Sequence, residues 1–373
     1  MKQLHGLNII LLLMYVALVM IDMPMNAKMI TLAKYLIVPL DITIFIENVL
    51  CGNFKRIFPV SLLFVLFMLY RTYSAITSSL KTESIDNNWY LMSMMFLTIM
   101  LMHYKIKENE LNLIIKVLVL FGVVSSICVF FLGQEYTNVE GRYYLGEGSD
   151  PNYYALGLLP PILVSLFKWI NTRRSIWFLI SLLIGASMFM LGSRGALLGV
   201  MVTISVYFFQ KYEIKYNIIL WGILSAITLL ASNWSDRLSV SEATESGGAG
   251  RIFIWMAAWN LFLNNMWTGV GVGNFGEYMF SFADSEYAEF TAAHNMYLDL
   301  ITELGLLGGV LFILMLIFMI KRRTYTANQM YLKMCLLAIM LAGFFLSAFS
   351  QKIIWLTCGL MCMEVTGMKR ERE

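Results

Sequence analysis

Charged side chains are scarce in this 373-residue chain. They make up 14% of it, against about 25% in a soluble globular protein. That scarcity excludes a water-exposed surface over most of the molecule. The net charge of +3 is small, and the basic residues fall in short loops. A nucleic-acid-binding stripe is therefore excluded. The five cysteines, Cys51, Cys128, Cys335, Cys358 and Cys362, form no CxxC pair and have no histidine partner. No metal site and no disulfide is expected of them, and they read as small apolar residues. No small-residue cleavage pattern follows the first apolar run, residues 7–21; Met23-Pro24-Met25-Asn26 fits one poorly. That run is read as a retained span rather than a signal peptide.

Apolar residues are what the chain has in excess, at 59%. They recur in runs of the length that crosses a lipid bilayer. The expected fold is all-α: a polytopic transmembrane helical bundle of about twelve spans, near 7–22, 29–50, 57–73, 88–104, 111–132, 153–170, 175–192, 195–210, 215–232, 294–320, 329–346 and 350–366. Residues 1–373 form a single integral membrane domain. The second span is the weakest, because it holds Lys34, Asp41 and Glu47; a structural pairing of these charges is the default expectation.

Lysine and arginine in short loops set the orientation. With the N-terminus inside, 15 fall in cytoplasmic segments and 8 in outer ones. The alternation places 133–152 and the long hydrophilic loop 233–293 outside. Arg194 runs against this bias. It sits in a turn with almost no loop, between Leu191-Gly192-Ser193 and Gly195-Ala196-Leu197. A charge held at the membrane surface costs a few kcal/mol unless it is paired, so Arg194 is a functional candidate.

The long loop has three parts. Residues 239–250, SVSEATESGGAG, are small and polar and should be mobile. Next, large apolar residues at 252, 255, 256, 259, 262 and 263 have helical spacing. This stretch is too short to span and should lie on the membrane surface as an interfacial helix, opened by Arg251, with Trp255 and Trp259 at headgroup level. The third part begins Gly269-Val-Gly-Val-Gly-Asn-Phe-Gly276. It satisfies GxGxxG but lacks a βαβ unit, which excludes a dinucleotide site. Its glycines should bring backbone close to a neighbour or a ligand. His294, one of three histidines, stands where the loop re-enters the membrane. In the other outer segment Asp150-Pro151 starts a helix, with Asn152 a polar group at its mouth.

In order along the chain, Asp150-Pro151-Asn152, Ser193-Arg194-Gly195, Gly250-Arg251 with Trp255, the glycine segment, and His294-Asn295 with Glu303-Leu-Gly-Leu-Leu-Gly308 resemble the motifs of the O-antigen ligase and polymerase superfamily. The resemblance is strongest over 145–310. It implies an inverting glycosyltransferase of a bacterial inner membrane, its site facing the periplasm or exterior. The donor would be a polyprenyl-diphosphate-linked oligosaccharide. Arg194 and Arg251 would hold the diphosphate and His294 would act as base. Asn152, Arg142, Arg71, Lys352 and Asn295 are further candidates, and no metal or other cofactor is expected. The lipid bilayer and a chain-length regulator are expected partners; nucleic acid is not. Repeat-unit polymerase is preferred to ligase because that branch is the more numerous. A flippase is the lesser alternative, disfavoured because the motifs gather on one face.

Overall fold

The structure is a computed structural model and describes residues 1–22, 32–55, 59–78, 81–135, 142–146, 149–211, 251–279 and 292–366, with backbone alone at 55 and 81–87. The expected span at 215–232 and the expected mobile stretch 239–250 lie outside the described residues.

Long helices dominate, as an apolar solvent demands, because each helix satisfies its own backbone hydrogen bonds. They are α1 (Lys2–Ile21), α2 (Leu32–Leu50), α3 (Pro59–Thr77), α4 (Lys81–His103), α5 (Glu108–Leu132), α6 (Pro151–Thr172), α7 (Ser175–Met190) and α8 (Arg194–Lys211). After the long loop begins, α9 (Arg251–Asn264) and the short α10 (Phe275–Met279) follow, then α11 (Met296–Lys321), α12 (Ala327–Ala342) and α13 (Lys352–Cys362). Two small strand pairs depart from an all-α fold. β1 (Lys105–Lys107) pairs in parallel with β4 (Glu364–Thr366), and β2 (Gln134–Glu135) pairs antiparallel with β3 (Tyr143–Tyr144).

Six described helical stretches are long and apolar enough to cross a membrane: α1, α3, α5, α6, α11, and α12 with its 3-10 extension to Phe345. The expected count of about twelve is not reached among the described residues. Helices α7 and α13 are apolar but shorter, and α2 carries three charges. Those charges do not pair with one another. Glu47 meets His5 Nδ1 at 2.8 Å and accepts from Asn8 at 2.6 Å and Tyr104 at 2.9 Å. Lys34 lies 4.8 Å from the Trp89 ring centre, a cation–π distance. Asp41 is buried on the same side of α2.

The core lies where α12 packs on α6, α8 and α13, and where α5 packs on α1, α6 and α7. Small residues let backbones approach there. A Cβ on Gly122 would lie 2.5 Å from Pro161, and one on Gly199 would lie 2.7 Å from the Ala338 carbonyl. Helix α9 rests on α11, and α11 on α3.

Candidate active site

Three helices begin around one cleft. Asn152 comes from the first turn of α6, Arg194 is the first residue of α8, and Arg251 is the first residue of α9; Phe345 and Leu346 close the wall. The first-turn N–H groups of a helix have no acceptor within it, and they carry the positive end of its dipole. Three such ends and two guanidinium groups converge on the cleft, an arrangement that suits an anion.

Local sequence explains each start. Asp150 caps α6, its carboxylate accepting from Asn152 N at 2.8 Å, with Pro151 in the first turn. The Asn152 side chain donates to the same oxygen at 2.9 Å. Between α7 and α8 the chain turns through Gly192, whose φ of 61° is a left-handed value that glycine adopts freely. Gly195 then lets α8 approach Phe345, since an added Cβ would lie 3.0 Å from that side chain.

His294 is half-buried and stands beside the cleft rather than in its wall. Burial lowers its pKa below the ordinary imidazole value; the Arg251 charge lowers it further, and the Asp150 carboxylate opposes them. Its backbone is left-handed, with φ of 49°, an uncommon conformation for a residue with a Cβ. Ala293 before it is fixed at both polar groups. Its N–H donates to Asp299 Oδ1 at 2.7 Å, and its carbonyl accepts from Trp255 Nε1 at 3.0 Å. Asn295 after it caps α11, accepting from Tyr297 N at 3.0 Å and Leu298 N at 3.2 Å.

The glycine segment docks on a neighbour. Val270 N donates to the Thr302 carbonyl at 2.9 Å and Gly271 N to the Glu303 carbonyl at 3.0 Å. There α11 breaks at Gly305, with φ of 64° and ψ of −167°. A Cβ on Gly269 would overlap the Glu303 carbonyl, and one on Gly305 would overlap Trp267. The Glu303 carboxylate accepts from Gly273 N at 3.0 Å. Tyr70 OH donates to the Leu304 carbonyl at 2.9 Å, and Ser78 Oγ to Asn274 Oδ1 at 2.8 Å.

The remaining sequence candidates scatter. Arg71 is buried in the docked region, 3.9 Å from Glu303 Oε2, and donates to Asn88 Oδ1 at 3.1 Å. Lys352 pairs with Asp22 at 2.8 Å. Neither lines the cleft. Arg142 is buried with Nε 3.5 Å from the Leu191 carbonyl, beside the turn that carries Arg194. Trp255 is turned inward to Ala293 instead of out to headgroups; Ile252, Met256, Trp259 and Leu263 form the exposed apolar face of α9. Sequence reasoning assigned no role to Asp299, whose contact with residue 293 has no local pattern to mark it.

Residues 178–313 match the family model described as O-antigen ligase. The match supports the O-antigen ligase/polymerase superfamily for this chain. The matched stretch holds Arg194, Arg251, the glycine segment and His294, while Asn152 and Arg71 precede it. No curated protein sequence matches the chain. The matched family is one of membrane glycosyltransferase-like enzymes, whose substrates are lipid-linked glycans. The apolar helices and this match together point to an integral membrane protein.

Proposed function

We propose that the chain is an inverting glycosyltransferase of a bacterial inner membrane, working on the periplasmic side with a saccharide donor on a polyprenyl diphosphate. The observation that carries this reading is the pairing of Arg194 and Arg251 at two helix starts around one cleft. A leaving diphosphate gathers negative charge as the bond from the anomeric carbon to its oxygen breaks. Fixed guanidinium forks stabilise that charge more than they stabilise the ground state. They fill the role that a divalent cation takes elsewhere, which makes the reaction metal-independent.

His294 completes the displacement. The acceptor hydroxyl oxygen attacks the anomeric carbon from the face opposite the diphosphate, and its proton passes to the imidazole as the new glycosidic bond forms. A single displacement inverts the centre. The lowered pKa keeps the imidazole neutral and ready to accept a proton at neutral pH. The acceptor in this reading is a second lipid-linked repeat unit, so the product is a longer glycan, whose length a separate regulator protein would set. The matched family's description favours a second reading: a ligase moving the glycan to a lipid A core sugar or another acceptor. The two readings share every step at the cleft.

Arg194→Ala and Arg251→Ala should each cut turnover by about a hundred-fold or more with protein abundance unchanged. His294→Ala should cut it by about 10²–10⁴-fold. The measurement is transfer of labelled saccharide from the lipid-linked donor by purified variants. Full product from either arginine variant removes the diphosphate clamp from the mechanism.

A further inference from the structure

We propose that Asp299, with the Trp255 indole, is a positioning residue that holds His294 in its left-handed conformation against the cleft. The inference rests on the reading of His294 as the base.

The peptide groups around residue 294 have few freedoms left. Asp299 is in the first turn of α11, and its carboxylate reaches back over the start of its own helix to the Ala293 N–H at 2.7 Å. From the opposite side, Trp255 of α9 donates to the Ala293 carbonyl at 3.0 Å. Ala293 itself is fully buried. On the other flank Asn295 is locked by the α11 cap. The change of direction between these two anchored residues falls on His294 alone, and its φ of 49° is the result. A strained backbone of this kind persists only when its surroundings over-determine it. Release of Ala293 lets His294 return to negative φ, and the imidazole is carried away with its Cα–Cβ bond.

Trp255 also couples the two halves of the site. Arg251 opens α9 and Trp255 sits one turn on, so one helix start supplies the anion clamp and the anchor of the base. Asp299 acts on backbone at residue 293, whereas the charges felt by the imidazole come from Arg251 and Asp150. Loss of Asp299 should therefore reduce the turnover number and leave donor binding at the arginines unchanged.

The test uses the full chain, purified in detergent, and the lipid-linked saccharide that accumulates in cells lacking the gene. Asp299→Ala should lower kcat by about a hundred-fold with the KM for that donor unchanged within about two-fold. Asp299→Asn retains an oxygen for the Ala293 N–H. It should stay within about three-fold of the parent, with the acid limb of its kcat–pH profile in place. Trp255→Phe keeps the ring and removes the donor, and should lower kcat alone by about ten-fold; it carries the test if Asp299→Ala fails to accumulate. Full kcat in Asp299→Ala or Trp255→Phe, or a raised KM with kcat intact, beside an inactive His294→Ala, overturns the positioning role. Full activity in His294→Ala removes the base reading instead, and the positioning proposal with it.

Discussion

At His294, burial and the Arg251 charge lower the imidazole pKa, while Asp150 opposes them. In the proposed mechanism the neutral ring is the base. A lowered pKa extends the neutral population toward acid, so activity is lost as pH falls through that lowered value, and the acid limb of kcat/KM should lie below the ordinary histidine value of 6.5. Asp150→Asn removes the opposing charge. The limb should then move to still lower pH. Asparagine caps a helix about as well as aspartate, so the start of α6 and Asn152 keep their places. The measurement is kcat/KM against pH for parent and variant; a limb that stays put or moves toward neutral means Asp150 does not act on the base. Arg194, Arg251 and His294 could be singled out from sequence because each stands in a recognisable local motif. Asp299 could not, since what distinguishes it is a hydrogen bond to a buried backbone group.

At the scale of elements, the decisive feature is the break in α11. Read as sequence, residues 294–320 form one apolar run with no proline to interrupt it. The structure breaks it at Gly305 and inserts the 269–273 glycines beside the gap. GxGxxG lost its nucleotide reading at once, yet its partner was out of reach: left-handed glycine at 269, 271, 273 and 305 is a property of paired backbones. Gly305→Ala should be severe. It imposes about 1–3 kcal/mol of backbone strain, in a region that is essentially glycine's alone, and overlaps the Trp267 carbonyl. The expected result is a clearly lower melting temperature in detergent, with loss of transfer, as the glycine segment lifts from α11. Gly6→Ala is the matched control, because nothing lies within 4 Å of an added Cβ there and alanine favours a helix by about 1 kcal/mol over glycine. Equal melting temperatures for the two variants mean that the docked glycines do not hold this part of the fold together.

For the whole molecule, membrane class followed from composition, because composition is a sum over the chain and tolerates local errors. Span count was less secure. A threshold on hydropathy cannot decide helices such as α2, whose Lys34 and Glu47 are accommodated by distant aromatic and polar partners. In the proposed mechanism a polymerase and a ligase need the same clamp and base, so the acceptor is read from the glycan produced. Removal of the gene separates them. A polymerase leaves surface glycan one repeat unit long on its usual acceptor, since transfer to that acceptor is intact and elongation is not. A ligase leaves full-length glycan stranded on the carrier lipid, since elongation is intact and transfer is not. Electrophoresis of surface glycan beside extraction of the lipid-linked pool reads both. Polymerase is the expected outcome, so the surface band should collapse to a single repeat, and re-expression of the His294→Ala protein should fail to restore the ladder. A full ladder in the gene-free strain, with its lipid-linked pool unchanged, would exclude both activities together.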